Sequence, residues 1–187
     1  MISKILLLPN ELITSILNHL PYPSIIALQW TCRQLYTITK AHQHSQNNLE
    51  NGKSYTMKDL LEIEKWPFFS QGQCNGPLQP IAGLDFFACY MCLKIRSAEY
   101  FSNAMMKGRR GKISLYSCTE NNNRFCIPCG VRSGSYIRGT MLQFGGAMGT
   151  YGFVCYGCKC FIATSSELEM RERRCFICLR KRYKQSH

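Results

Sequence analysis

The spacing of apolar residues gives the chain regions of different texture. Residues 8–20, LPNELITSILNHL, put Leu12, Ile13, Ile16, Leu17 and Leu20 on one helical face and predict an amphipathic helix. Pro9 suits its first position, Glu11 its positive first turn, and Pro21-Tyr22-Pro23 ends it. Ser24 is placed to cap a second short helix carrying Ile25, Ile26 and Leu28. Thr31 and Gln34 make a capping-box pattern for a third, with Cys32, Leu35, Tyr36 and Ile38 on it. Residues 41–55 are polar without a period and read as a linker, in which His42 and His44 are solvated side chains rather than ligands. Thr56 and Asp59 then cap a helix over residues 56–66 bearing Leu60, Leu61 and Ile63, closed by Pro67; Trp66, Phe68 and Phe69 pack it on a neighbour. Residues 70–83, rich in Gly, Pro and Gln, read as a further loop.

About forty residues seldom hold a sufficient core alone, so this many aliphatics on short helices call for a partner surface inside or outside the chain. The register of Leu8-Pro9, Glu11-Leu12, Ile16, Leu20, Ile25, Leu28, Cys32-Arg33 and Leu35-Tyr36 resembles the F-box motif, with Ser24 where that family often carries Asp. The resemblance implies a three-helix module that docks on the Skp adaptor of an SCF-type cullin ubiquitin ligase, while the rest of the chain presents a substrate. Carried over residue by residue, it makes Leu8, Pro9, Leu12, Ile16, Leu20, Leu28 and Leu35 the adaptor-facing set.

The second half has another chemistry. Of the chain's 12 cysteines, ten follow residue 87, and the net charge of +12 lies wholly in residues 87–187. Four C-x2-C pairs occur there: Cys89/Cys92, Cys126/Cys129, Cys155/Cys158 and Cys175/Cys178. A C-x2-C turn brings two sulfurs close enough to share one metal, and four thiolates suit tetrahedral zinc, so the pairs predict two four-cysteine zinc sites. Cys158-x16-Cys175 fits the usual zinc spacing, which leaves Cys89/Cys92 with Cys126/Cys129; the cross-braced alternative joins first pair to third and second to fourth. Ser166 and Glu169 form a capping box for a charged helix between the last two pairs. Cys160 is a spare thiol beside Cys158, Cys32 belongs with the apolar residues of the third helix, and Cys74 and Cys118 have no assigned chemistry. The Gly-rich stretch 130–152 offers little core, so two zinc ions, each worth about 10–16 kcal/mol of apparent binding energy, would carry the fold of residues 86–182.

Similarity to many fungal F-box proteins extends further, through a helix like Thr56–Pro67, a knuckle like Cys89–Phe101, a basic K/R-G segment and an RFCxxCG knuckle like Arg124–Gly130. The expected fold is therefore small α followed by zinc-stabilised α+β. The resemblance implies an F-box over residues 3–45, and a linker is expected over residues 46–85 containing the helix 56–66. A cysteine-rich domain with short β-ribbons covers residues 86–182, and a basic tail residues 183–187.

Catalysis finds little support, because four-cysteine sites are closed and no His lies between Cys89 and Cys178 to act as ligand or base. A RING-type arrangement fails at Cys118-x7-Cys126. Lys107, Arg109, Arg110, Lys112, Arg180, Lys181 and Arg182 are candidate contacts for an acidic protein partner or for nucleic acid. The expected function is thus a substrate receptor of a cullin ligase, with an unidentified protein substrate and no active site of its own. The rival is a zinc-dependent nucleic-acid binder using the basic half. No apolar run reaches the ~18–20 residues of a membrane span. MISKILLL is cut short as a signal peptide by Pro9-Asn10-Glu11, and the paired thiols point to an intracellular protein, nuclear or cytoplasmic.

Overall fold

The computed structural model describes residues 7–47, 55–70, 79–112, 123–147 and 149–185; Cys74 and Cys118 lie outside them. The chain divides into two compact units, Met1–Ile63 and Glu64–His187.

The first unit is helical. Helix α1 is Asn10–His19, α2 is Tyr22–Gln29, α3 is Arg33–Asn47 and α4 is Met57–Glu64, which reaches the unit boundary. Pro9 sits one residue ahead of α1, where its carbonyl accepts from the amides of Leu12 and Ile13, both at 3.1 Å. Two expected caps act differently. Pro21 occupies the cap of α2 with Pro23 in its first turn, so Ser24 is inside the helix. The Thr31 hydroxyl donates backwards to Leu28 O at 2.8 Å, closing α2 rather than opening α3. The polar stretch expected as linker is helical as far as Asn47, because His42 bonds Asn18 at 2.8 Å and Gln43 accepts from Gln29 at 3.0 Å. The cap of α4 is as read from sequence: Thr56 donates from its amide and its hydroxyl to Asp59 Oδ2, each at 2.7 Å.

Ile13, Leu17 and Ile25 form the small core here, with Leu20, Leu28 and Ile38 packed on it. Thr39 is fully buried, its hydroxyl spent on Leu35 O at 2.7 Å. Tyr22 stacks on Tyr55 with centroids 4.1 Å apart, and burial first, then Tyr55 and Asp59, push its hydroxyl up to about 12.

The second unit is built on two small sheets. Strands β1 (Phe86–Cys89) and β2 (Lys94–Ser97) form a hairpin with Cys89 opposite Lys94. A 3-10 turn at Ala98–Tyr100 and a short helix α5 (Asn103–Met106) follow, and α6 (Ile127–Ser133) ends on Gly134, whose φ of 81° closes the helix in the left-handed region. Strands β3 (Met141–Phe144), β4 (Thr150–Val154) and β5 (Phe161–Ala163) make an antiparallel sheet in sequential order. Helices α7 (Glu167–Glu172) and α8 (Phe176–Gln185) complete the unit, and Ser166 caps α7 by accepting from Glu169 N. The reciprocal half of the box is not formed, because Ser166 N donates to Thr164 Oγ1 and the Glu169 carboxylate accepts from Thr164 and Phe176.

Strand β4 joins two cores because its side chains alternate across the sheet. Val154 packs with Ile127, Tyr136 and Leu142, whereas Phe153 packs with Cys155 and Cys175. The Gly-rich stretch thus contributes more apolar packing than its composition suggests, through Tyr136 and Leu142.

A buried ionic cluster fixes the start of this unit. Arg124, fully buried, pairs with Glu64 through Nη2, donates from Nε to Ala88 O at 3.1 Å and from Nη1 to Arg110 O at 2.8 Å. Glu64 also accepts from Ala88 N at 2.6 Å, so the pair ties the first residue of this unit to β1. Lys112 lies 4.0 Å from Asp85 and donates to Phe69 O and Ser70 Oγ. Both cations stand over the Phe87 ring, at 4.8 and 4.9 Å from its centroid.

Candidate metal centres and docking surface

Each C-x2-C pair sits where local geometry brings its sulfurs together. In the first centre, Cys89 ends β1 and Cys92 lies in the hairpin turn, while Cys126 caps α6 and Cys129 stands in its first turn. In the second, Cys155 follows β4 and Cys158 lies in the turn to β5, while Cys175 precedes α8 and Cys178 stands in its first turn. The four sulfurs of each centre lie within 4.8 Å of one another. This is the sequential pairing; the cross-braced one is not the arrangement adopted.

The two centres repeat each other closely. The amide after the second turn cysteine, at Leu93 and at Lys159, donates to the carbonyl of the first, at 2.9 and 3.1 Å. Both residues carry positive φ, 48° and 62°. Tyr90 N donates to Arg124 O at 3.0 Å, and Tyr156 N to Arg173 O at 2.9 Å. Cys126 N donates to Cys89 Sγ and Cys175 N to Cys155 Sγ, both at 3.3 Å. Behind each turn stands a fully buried phenylalanine, Phe87 or Phe153. One unit, a hairpin turn facing a helix N-terminus, therefore occurs twice. Its signature, F-x-C-Y-x-C followed later by R-x-C-x2-C, is legible at Phe87–Cys92 with Arg124–Cys129 and at Phe153–Cys158 with Arg173–Cys178, although the cysteine spacing alone does not disclose it.

The donor set fits a four-thiolate metal site. Zn–S bonds of about 2.3 Å in a tetrahedron give S–S edges of about 3.8 Å, and Cys158 Sγ and Cys175 Sγ are 3.9 Å apart. None of the ten described cysteines is in a disulfide. Amides directed at sulfur favour thiolate, and in each centre the negative charge settles on the first cysteine. The Cys89 thiol is pulled down to about 4, chiefly by its hydrogen bond with Cys126. Cys155, although burial raises it, is brought down to about 6 by amides of Cys175, Cys158 and Gly157. Three other thiols hold their protons more tightly: Cys126 is pushed up by its bond to Cys89, Cys129 to about 11 by burial, and Cys178 to about 12 by Cys175.

The surroundings differ. In the first centre Cys89, Cys126 and Cys129 are buried and Cys92 half-buried; in the second Cys158 is exposed and Cys178 half-buried. Arg96, which the sequence reading missed, hydrogen-bonds Cys92, and the cysteine charges hold its guanidinium above the ordinary range although burial acts the other way. Gly157 is a second missed residue. A Cβ there would lie 2.6 Å from Cys178 Sγ, so only glycine lets the turn close over the helix. Cys160 is exposed, with its thiol directed at Cys158 O at 3.7 Å rather than completing the centre.

The predicted adaptor set divides by exposure. Leu12 is 53% exposed, Ile16 38% and Leu8 37%, with Pro9 beside them. Leu20 and Leu28 are half-buried on the Ile13–Leu17–Ile25 core. Leu35, at 3% exposure, belongs inside the unit, because it lies on the buried side of α3 with Thr39. The apolar stripe of α1 is thus wider than its own core uses: Ile13 and Leu17 face in, Leu12 and Ile16 face out. Leu7, Trp30 and Tyr36 add exposed apolar surface that the sequence reading did not select.

Residues 5–44 match the F-box domain. No curated protein and no solved structure matches the chain. The F-box match covers the helices whose exposed aliphatics have just been described and leaves the cysteine-rich unit without a named relative.

The basic residues likewise separate. Lys107, Arg109, Arg180, Lys181 and Arg182 are exposed, and Arg110 is half-buried. Lys112 is not a surface contact: its side chain is 5% exposed and lies by Asp85. Burial lowers its ammonium to about 8, against the pull of Glu64 and Asp85. Among the described residues no helix is long and apolar enough to cross a membrane.

Proposed function

We propose that this chain is a substrate receptor of an SCF-type cullin ubiquitin ligase, docking on the Skp adaptor through α1 and its neighbours and presenting a protein target through residues 64–187. The observation that carries this reading is the F-box at residues 5–44, whose Leu8, Leu12 and Ile16 are solvent-exposed rather than used in its own core. Burying exposed aliphatics on a partner contributes about 1.5–3 kcal/mol for each fully covered side chain. F-box proteins are generally adaptors, which fits closed thiolate centres. The receptor has no chemistry of its own in this reading and works inside the cell, in nucleus or cytoplasm.

The two centres hold one zinc ion each, ligated by Cys89, Cys92, Cys126 and Cys129, and by Cys155, Cys158, Cys175 and Cys178. The metal's part is structural: it ties each hairpin turn to its helix and supplies folding free energy. The chain's own amides and Arg96 offset the thiolate charge.

The test is co-expression with a Skp adaptor followed by size-exclusion chromatography. The wild-type chain should co-elute one-to-one, and a Leu12→Asp, Ile16→Asp variant should not. Both positions are exposed, so the variant keeps its helical content, and loss of co-elution reports docking rather than unfolding. A wild-type chain that folds and ignores the adaptor would refute the receptor reading.

A further inference from the structure

We propose that the groove beside α8 is the peptide site of this receptor, and that it takes an acidic segment carrying a large apolar anchor residue. The inference deepens the receptor reading and rests on it. The groove, about 550 Å³, is lined by Leu168, Phe176, Leu179, Arg180, Tyr183 and Lys184. Positions 176, 179/180 and 183/184 recur at helical spacing, so α8 presents one continuous stripe, with Leu168 of α7 opposite it. Leu179 is buried and forms the floor, whereas Phe176 is 67% exposed, Tyr183 56% and Leu168 43%.

The rim sets the sign of the occupant. Among the described residues, Arg180 and Lys184 are the charged ones lining the groove. Of the α7 carboxylates, Glu172 pairs with Arg182 at 3.3 Å, Glu169 accepts from Phe176 N at 2.5 Å and from Thr164 at 2.6 Å, and Glu167 is exposed beside Leu168; none of the three lines the groove. A second hollow is lined by Arg174, Lys181 and Arg182 together with Gly157, Cys158 and Cys178 of the second centre, so its cations stand beside the thiolates and do not add to the rim of the first groove. A second copy docking through its own α8 would bring an equally basic helix to the groove and be repelled. A concave apolar groove flanked by two cations suits one apolar side chain with carboxylates beside it. Phe176 and Tyr183 offer ring faces on which a base could stack, but a nucleic-acid strand calls for a longer track of phosphate contacts than Arg180 and Lys184 supply.

The experiment selects a random 12-residue peptide library, displayed on phage, against the full zinc-loaded chain, with a Leu168→Asp, Phe176→Asp variant for counter-selection. The selected peptides should be enriched in Asp and Glu around Leu, Ile, Phe, Met or Trp. A synthetic representative should bind an Arg180→Glu, Lys184→Glu variant at least ~10-fold more weakly, because two attractive contacts become repulsive. Every substituted side chain is exposed and the buried Leu179 is left unchanged, and zinc content checks each variant's fold. Selection without acidic bias, equal binding by the charge-reversed variant, or dimerisation abolished by the Leu168→Asp, Phe176→Asp change would overturn the proposal. So would preferential binding of a single-stranded oligonucleotide through Arg180 and Lys184. Adaptor co-elution of the same variants is scored separately, so failure of the groove and failure of the receptor reading give different results.

Discussion

The first cysteine centre is enclosed and the second is open, although the same hairpin-turn and helix unit builds both. At the first, Phe87, Phe101, Met105 and Met106 surround the sulfurs and Arg96 lies against Cys92. At the second, Phe153 supports Cys155 and Cys175 from beneath, while Cys158 faces solvent. The contrast separates two duties of a thiolate site. Local backbone geometry supplies two donors at each turn, and the packing of a hairpin turn on a helix N-terminus brings the four together. Retention of the metal depends on what covers them.

The largest expected effect breaks the pair apart. A strong chelator should remove zinc in two phases, the second centre first, followed by absorbance of a zinc-responsive dye. Cys126→Ser should abolish the fold of residues 64–187, since about 10–16 kcal/mol of apparent binding energy goes with each structural site. Cys178→Ser should leave β1, β2 and α6 folded, as judged by amide exchange. Simultaneous release would mean that enclosure does not govern the difference.

Next comes the arginine that precedes each helix pair. Arg124→Ala leaves Glu64 buried without its partner and should cost about 3–5 kcal/mol in denaturant unfolding. Arg173 donates to Gly139 O at 2.8 Å in a half-buried position, so Arg173→Ala should cost only about 1–3 kcal/mol. Equal losses would contradict the assignment of the first centre as the anchored one.

A smaller effect sharpens the comparison at the turns. Gly157→Ala forces a Cβ against Cys178 Sγ and should weaken zinc at the second centre by at least ~10-fold. Met91→Ala, at the matching position of the first turn, should leave both metals in place by mass spectrometry.

The smallest is a pH dependence. Lys112 binds its proton less tightly folded, at about 8, than unfolded, near 10.5. The unfolded chain therefore holds more protons between those values, so stability rises with pH there. The burden of the buried charge is fully present below about pH 8 and fades toward 10.5. Wild type should gain on a Lys112→Met variant across that window in paired urea titrations; a flat difference would refute it.

Much of this arrangement was legible in residue order. Helix α1, the Thr56–Asp59 and Ser166–Glu169 contacts and the C-x2-C turns are local, and spacing reports local geometry. The sequential pairing follows at Cys158-x16-Cys175 from its spacing, whereas Cys89/Cys92 with Cys126/Cys129, separated by 33 residues, is only what that leaves. The failures have long-range causes. Leu35 and Leu12 look equivalent in sequence, and only the packing of α3 puts one inside and the other out. Residues 41–47 carry no hydrophobic period because polar bonds to Asn18 and Gln29 hold that end of α3. Lys112 reads as part of a basic run, yet Asp85 and Phe69, far away in sequence, draw it inward. The duplication of the two centres escaped because their linkers differ in length, leaving only Phe, Tyr and Arg at matching offsets.

Native mass spectrometry of the chain co-expressed with a Skp adaptor tests the whole account most directly. The account predicts a one-to-one complex carrying two zinc ions, which dissociates when Leu12 and Ile16 are both replaced by Asp while the chain keeps both metals. A free wild-type chain with two zinc ions would contradict the docking surface. A complex without zinc, or with disulfides among the eight paired cysteines, would contradict the metal centres.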